Sequence, residues 1–266
     1  SLYDKHIQLN AKMVDFAGFS MPISYPSGIN LECDFVRKNV GLFDVSHMGQ
    51  ILIEGKSSLE FVEYLTSNNV SKLTNNQCQY SVLCNDNGGI IDDLILYRIN
   101  KDKFFLVINA SNIDKDYKWI INKQKEFCSE FIQSHLVVKN LSSDISLIAV
   151  QGPKSREILE EIFGEKIKLN FYKHKNFIYE SDELLLSRTG YTGELGFEIL
   201  GNHRTIINIW IRLIQSKVEP CGLAVRDILR MEMKYCLYGN DINEDRNPLE
   251  AGLKWVCNLN KADFIG

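Results

Sequence analysis

"QYSVLCNDNGGIIDDLILYRINKDKFFLVINAS", residues 79–111, decides what kind of chain this is. Three runs rich in β-branched and aromatic residues are joined by Asn-Asp-Asn-Gly-Gly and Asn-Lys-Asp-Lys, compositions that make turns. The stretch therefore reads as an antiparallel meander. In its middle run, "IIDDLILY" (90–97), alternate side chains face opposite ways. Ile91, Asp93, Ile95 and Tyr97 share one face, and Ile90, Asp92, Leu94 and Leu96 the other. Both faces are apolar, which predicts a strand buried on both sides with two adjacent aspartates in it. An ionised carboxylate among isoleucines must find partners or take up a proton. Two readings stand: the pair caps the Asn-Gly-Gly turn, or one aspartate is an acid or base poised in a cavity.

Helical patterns flank the meander. "NLECDFVRKNVG" (30–41) carries Leu31, Phe35 and Val36 at helical spacing, with Gly41 as a stop. "SSLEFVEYLTSN" (57–68) opens on a serine suited to an N-cap and carries Leu59, Val62 and Leu65. Residues 154–164, 203–216 and 224–235 complete the expected helices, while "SLIAVQG" (146–152) and "GFEIL" (196–200) read as further strands. Helices and strands interleave without a regular βαβ alternation, so the expected class is α+β, with mixed and antiparallel sheets and flanking helices.

The 266 residues hold 30 basic and 34 acidic side chains, a net charge of −4. That balance disfavours a nucleic-acid binder, whose footprint is basic. Seven cysteines, an odd number without CxxC spacing, argue against a disulfide framework or a thiolate metal site and for a reducing compartment. The five histidines form no local motif such as HExxH, so no metal is expected. No apolar run reaches the length of a membrane span, and "SLYDKHIQLN" lacks the regions of a signal peptide.

Three further stretches carry chemistry-bearing residues. In "GLFDVSHMGQ" (41–50), Asp44, Ser46 and His47 have the residue types of a hydrolytic triad. Ser46 and His47 are adjacent, however, and no nucleophile-elbow glycines flank Ser46, so local hydrogen bonding is the expected role. "CGLAVRDILRMEMKY" (221–235) places Arg226 and Arg230 on one helix face. Their guanidinium groups suit either an ion pair with Asp227 or a carboxylate ligand. "SRTGYTGELGFEIL" (187–200) sets a glycine-rich turn before a strand in which Glu198 points away from Phe197 and Ile199. By itself this is a turn followed by a half-exposed strand with Glu198 in water.

"KMVDFAGFSMPISY" (12–25), "VRKNVGLFDVSHMG" (36–49), "NDNGGIIDDLILY" (85–97), "NASNIDKDYKWI" (109–120), "AVQGPKS" (149–155), "SRTGYTGELGFEI" (187–199) and "PCGLAVRDILRMEMKYCLYGNDI" (220–242) occur in this order along the chain. In these seven blocks the sequence resembles the aminomethyltransferase, or T-protein, family of the glycine cleavage system. The resemblance implies a three-domain cloverleaf with folate in its central opening, and transfer of an aminomethyl group from the lipoyl arm of H-protein to tetrahydrofolate. The products are 5,10-methylenetetrahydrofolate and ammonia, made without a metal. It implies a first domain over 1–50 and 140–226 and a second over 51–139 and 227–266. The family's C-terminal barrel is expected to be absent after "LNKADFIG". The setting implied is a bacterial cytoplasm, or a mitochondrial matrix if the source is eukaryotic.

By motif position, Asp93 matches the family's catalytic aspartate, Glu198 its pterin-binding glutamate and Arg226 a folate-contacting arginine. Met48, Tyr80, Asn109, Tyr191 and Tyr235 match other pocket positions. The glycine turn is expected to let Tyr191 and the backbone close on the pterin. The alternatives are another folate-dependent one-carbon enzyme, such as a demethylase or a dimethylglycine dehydrogenase-like folate domain, and a non-catalytic folate-binding assembly factor.

Overall fold

The meander forms as expected: residues 77–108 make three consecutive antiparallel strands in a computed structural model that describes residues 2–130, 135–261 and 263–266. In chain order the elements begin with α1 (Tyr3–Gln8), β1 (Lys12–Phe16), β2 (Phe19–Ser24), α2 (Ile29–Lys38) and β3 (Gly41–Asp44). Next come β4 (Gly49–Glu54), α3 (Ser58–Leu65), β5 (Gln77–Cys84), β6 (Ile90–Asn100), β7 (Lys103–Ile108), α4 (Ile113–Glu130) and β8 (Val137–Asn140). The rest are β9 (Ile145–Gln151), α5 (Ser155–Phe163), β10 (His174–Tyr179), β11 (Asp182–Ser187), β12 (Gly196–Asn202), α6 (His203–Gln215), β13 (Glu219–Pro220) and α7 (Leu223–Glu232). The class is α+β.

The chain divides into two compact units, Ser1–His47 with Asp144–Tyr235, and Met48–Ser143 with Cys236–Gly266. The sequence-based edges at 50/51, 139/140 and 226/227 thus correspond to 47/48, 143/144 and 235/236 in this division. An edge at 226/227 would cut α7, an uninterrupted helix from Leu223 to Glu232.

The first unit holds a six-stranded sheet in the order β10-β11-β12-β9-β3-β13, antiparallel except at β13, and the separate β1-β2 hairpin. Helix α6 shows why it packs: Ile206, Ile209, Trp210 and Leu213 recur at helical spacing and are all buried, against Leu42, Ile148, Phe197 and Ile199 of the sheet. Its start is fixed by Asn202, whose side chain accepts the Thr205 N–H.

Helix α2 departs from its apolar pattern. Leu31 is exposed, and the neighbouring Glu32 is buried in its place. The Glu32 carboxylate accepts the backbone N–H groups of Tyr25 (2.7 Å) and Gly222 (2.8 Å). Gly222 is the N-cap of α7 and has no side chain to cap it, so Glu32 satisfies that helix end from another element. A Cβ on Gly222 would stand 2.2 Å from the Ile23 carbonyl oxygen. Gly222→Ala is therefore expected to cost about 1–3 kcal/mol, the usual range for overpacking, read as a lower denaturation midpoint. An unchanged midpoint would mean that β2 yields freely.

The second unit is built on an antiparallel sheet in the order β5-β6-β7-β4-β8. Phe61, Val62 and Leu65 of α3 and Ile120 of α4 pack on Ile51, Ile53, Leu94, Leu96, Phe104 and Leu106. Ser57 occupies the N-cap position of α3 without making a capping bond. On β6 the Asp92 face is closed; on the other face Ile91 and Tyr97 are buried too, while Asp93 and Ile95 between them are half-buried. The expectation of a strand enclosed on both sides is thus met except at Asp93 and Ile95. Among the described residues no helix is long and apolar enough to cross a membrane.

Candidate functional site

In the first unit, β12 carries Glu198 opposite Ser187 of β11 and Ala149 of β9. Glu198 is half-buried and is not a free carboxylate in water: the Thr189 hydroxyl donates to its Oε2. Thr189 spends its one hydroxyl proton there, so Ser187, 2.7 Å away, donates to Thr189 in turn. A relay of two hydroxyls thereby fixes one carboxylate oxygen and leaves further acceptor positions on the group. The Arg226 guanidinium lies over the Tyr191 ring, 4.5 Å from its centroid, and Tyr191 stacks on Tyr235 at 5.8 Å. Burial holds the Arg226 pKa down, opposed by Tyr191 and Glu198. Glu198, Arg226, Tyr191 and Tyr235 are thus gathered in one unit.

The glycines of the turn have a purpose that the sequence did not disclose. A Cβ at Gly190 or Gly196 would fall 2.1 or 2.2 Å from the Gln151 amide oxygen. Buried Gln151 accepts from the Thr192 hydroxyl (2.9 Å) and donates to the carbonyls of Thr189 and Phe197. Its amide thus threads the turn that carries Thr189 and Tyr191. Only Gly193 needs a left-handed backbone, at φ +80°. Glycine here makes room for a strut.

The two arginines part company. Arg230 is buried and pairs with Asp227 (2.8 Å), while its Nη1 donates to the Tyr235 carbonyl (3.1 Å). Arg226 makes no ion pair among the described residues. Of the two open roles, ion pairing belongs to Arg230.

In the second unit, Asp93 is held at both oxygens. Tyr80 donates its hydroxyl to Oδ2 (2.9 Å), and Asn109 donates its amide to Oδ1 (2.8 Å). Partial burial and the neighbouring Asp92 push the Asp93 carboxyl up to about 7, against those two hydrogen bonds. Asp92 lies on the other face, fully enclosed, and accepts the Asn109 N–H (2.9 Å), the Asn109 amide (2.8 Å) and the Asn112 amide (2.7 Å). Neither aspartate serves the turn: Asn85 accepts the N–H groups of Asn87 and Gly89 there. Trp255, which no motif flagged, stacks on Tyr80 with ring centroids 5.5 Å apart. Met48 lies half-buried beside β4, its carbonyl accepting from Gln50, and takes no part in the Asp93 hydrogen-bond set.

The Asp-Val-Ser-His segment works locally. Asp44 accepts the Ser46 N–H, and the Ser46 hydroxyl donates to the Leu147 carbonyl. The histidine paired with Asp44 is the distant His6, whose Nε2 lies 2.9 Å away and whose Nδ1 meets the Tyr25 hydroxyl. His47 packs edge-on to Phe16, and burial lowers its pKa to about 4. A neutral, aromatic-packed His47 beside a hydroxyl bonded to backbone is no triad. Among the described residues, no three His, Cys, Asp or Glu side chains converge as a metal ligand set.

A family profile described as the GCVT N-terminal domain matches residues 2–261. An aminomethyltransferase from Pseudothermotoga lettingae is 46% identical over 269 residues, covering 100% of this chain and 72% of that protein. One from Thermotoga maritima is 45% identical over 270 residues with the same coverage. The crystal structure of glycine cleavage system aminomethyltransferase T from Bartonella henselae aligns at a TM-score of 0.89 and 37% identity, over 100% of this chain and 71% of that one. A profile that spans almost every residue, and relatives matched from end to end of the sequence, lead to one conclusion: the chain belongs to the aminomethyltransferase family of the glycine cleavage system.

Proposed function

We propose that the protein transfers the aminomethyl group carried on the lipoyl arm of H-protein to tetrahydrofolate, releasing ammonia and 5,10-methylenetetrahydrofolate. The observation that carries this reading is Asp93, a half-buried carboxyl gripped by Tyr80 and Asn109 and titrating at about 7. A base of that strength changes protonation at working pH. Departure of ammonia leaves a one-carbon cation on the lipoyl sulfur that folate N5 attacks. N10 then displaces the sulfur, closing the methylene bridge as the carbon–sulfur bond breaks and the lipoyl thiol takes up a proton. Asp93 accepts the N5 proton, and its negative charge stabilises the passing cation.

Glu198 supplies recognition. A pterin presents a ring N–H and an exocyclic amino group side by side, and a carboxylate pinned at one oxygen by Thr189 is preset to accept both. Arg226 offers its planar fork to folate's anionic tail, and the Tyr191–Tyr235 stack offers aromatic surface. In the second unit, Tyr80 and Asn109 serve by holding Asp93, and Met48 is a further proposed folate contact.

The test is to supply the intact protein with tetrahydrofolate and either aminomethylated H-protein or methylated amines. Ammonia and methylenetetrahydrofolate are expected from H-protein alone. Turnover only of methylated amines would assign a demethylase, and folate binding without turnover of any donor a non-catalytic factor.

A further inference from the structure

Behind the Asp92–Asp93 pair stands a third carboxyl that the proposed reaction leaves unused. Asp116, in the first turn of α4, is completely buried, and among the described residues no N–H or O–H group donates a hydrogen bond to either of its oxygens. The group it meets is the Asp92 carboxyl, also completely buried. Two ionised carboxylates, each only an acceptor, cannot face each other in such a place; one must hold a proton. The surroundings decide which. Asp92 accepts three N–H groups, from Asn109 and Asn112, a donor set that suits an anion. Asp116 has none, so the proton belongs to Asp116.

The charged groups that face Asp116 are Asp92 and Asp93 from β6 and Lys115 from its own helix. Lys115 is engaged elsewhere, with the Ile91 carbonyl (2.7 Å), the Tyr238 hydroxyl (2.9 Å) and Glu244 (3.1 Å). Burial, then Asp92, pushes the Asp116 carboxyl up to about 11, in keeping with that placement.

We propose that Asp116 is a positioning residue for Asp93, a buried carboxylic acid whose proton anchors Asp92, the anion that holds the Asn109 amide against Asp93. One amide nitrogen connects the chain: Asn109 Nδ2 lies 2.8 Å from both Asp92 Oδ1 and Asp93 Oδ1. An amide that donates one hydrogen to each carboxylate keeps its orientation only while Asp92 stays fixed. Asp116 adds an O–H to the donors on Asp92, which are otherwise N–H groups of Asn109 and Asn112. This inference rests on Asp93 being the catalytic base, but the protonation of Asp116 can be tested apart from it.

The test uses Asp116→Asn, which keeps an N–H donor, and Asp116→Leu, which keeps bulk without one. In the intact protein, Asp116→Asn is expected to retain kcat within about threefold. Its pH–rate profile should rise at the wild-type position, because no charge has been removed. Asp116→Leu is expected to lose kcat about tenfold at unchanged KM, the order of a lost buried hydrogen bond. Carboxyl carbon NMR of the wild type should report Asp116 protonated at neutral pH. A profile shifted toward acid in Asp116→Asn, equal kcat losses in both variants, a fully active Asp116→Leu, or an ionised Asp116 by NMR would each overturn the inference. If Asp116→Leu does not fold, the Asn profile and the NMR signal decide. If instead Asp93→Asn is fully active, the catalytic reading fails while the NMR result still settles the proton on Asp116.

Discussion

Asparagine in place of Asp93 is expected to lower turnover of the intact protein about a hundredfold, within the range for general acid–base groups, while folate affinity falls much less. The substitution is unusually clean here. The new side-chain oxygen can take the Asn109 amide, and the new NH2 can donate to the Tyr80 hydroxyl oxygen, which can also accept. Shape and hydrogen bonding survive; the charge and the basic oxygen do not. Because Asp93 must be ionised to act as a base, the wild-type kcat should rise with pH through about 7, and that limb should vanish in Asp93→Asn. The comparison variant, Asp92→Asn, is expected to lose stability first. It would confront three buried N–H donors with an amide that brings donors of its own. Normal turnover in Asp93→Asn combined with none in a folded Asp92→Asn would show that the other aspartate is the base.

The same carboxyls give stability a pH dependence of definite sign. The unfolded chain releases these protons near 3.8, whereas the fold holds Asp93 to about 7 and Asp116 to about 11. Between those limits the native state binds more protons than the unfolded state, so this contribution falls as pH rises. Asp116→Asn should remove part of that slope, and denaturant midpoints measured from pH 5 to 8 should diverge in its favour as pH rises. Parallel curves would contradict a protonated Asp116.

Where a segment's burial is decided by its own periodicity, the sequence was enough. Helix α6 and the meander show it, because Ile206, Ile209, Trp210 and Leu213, or the runs of β6, cannot be placed otherwise. Where burial is decided by a distant partner, pattern misled. Leu31 had the spacing of a core residue, but the N–H groups of Tyr25 and Gly222 claim its neighbour Glu32 for the interior. The 18-residue α4 was not among the expected helices, although Ile113, Tyr117, Ile120 and Phe127 recur at helical spacing and pack on the core between many charged residues. Its Asp114 and Asp116 both look like acids favoured at a helix start, yet only Asp116 is buried, against a strand some twenty residues earlier. Motif resemblance named Glu198 and Asp93, with the Tyr80 and Asn109 that hold Asp93; it did not reach Thr189 and Gln151 beside Glu198, or Asn112 and Asp116 around Asp92, whose placement depends on tertiary contacts.

Glu198→Gln is expected to weaken tetrahydrofolate binding about tenfold to a hundredfold. Thr189 fixes the carboxylate at Oε2 with a hydroxyl whose proton has no better acceptor. A glutamine in the same place has one oxygen, and the Thr189 proton competes with the pterin for it. If Thr189 keeps it, the glutamine NH2 is turned toward the pterin's own N–H and amino group, donor against donor. A buried polar group left unpaired costs about 1–3 kcal/mol, and each 1.4 kcal/mol is about a factor of ten in affinity. Glu194 is the control, four residues earlier. Its Oε1 accepts from Arg37 at 3.0 Å in a partly exposed ion pair, and the oxygen of a glutamine retains that bond. Glu194→Gln should therefore bind folate like the wild type. The measurement is a folate titration of both variants in the intact protein, after their denaturation midpoints have shown each to be folded. Equal, near-wild-type affinities would leave Glu198 as a strand residue tied to Thr189 for the sake of the turn, and the pterin would have to be recognised elsewhere.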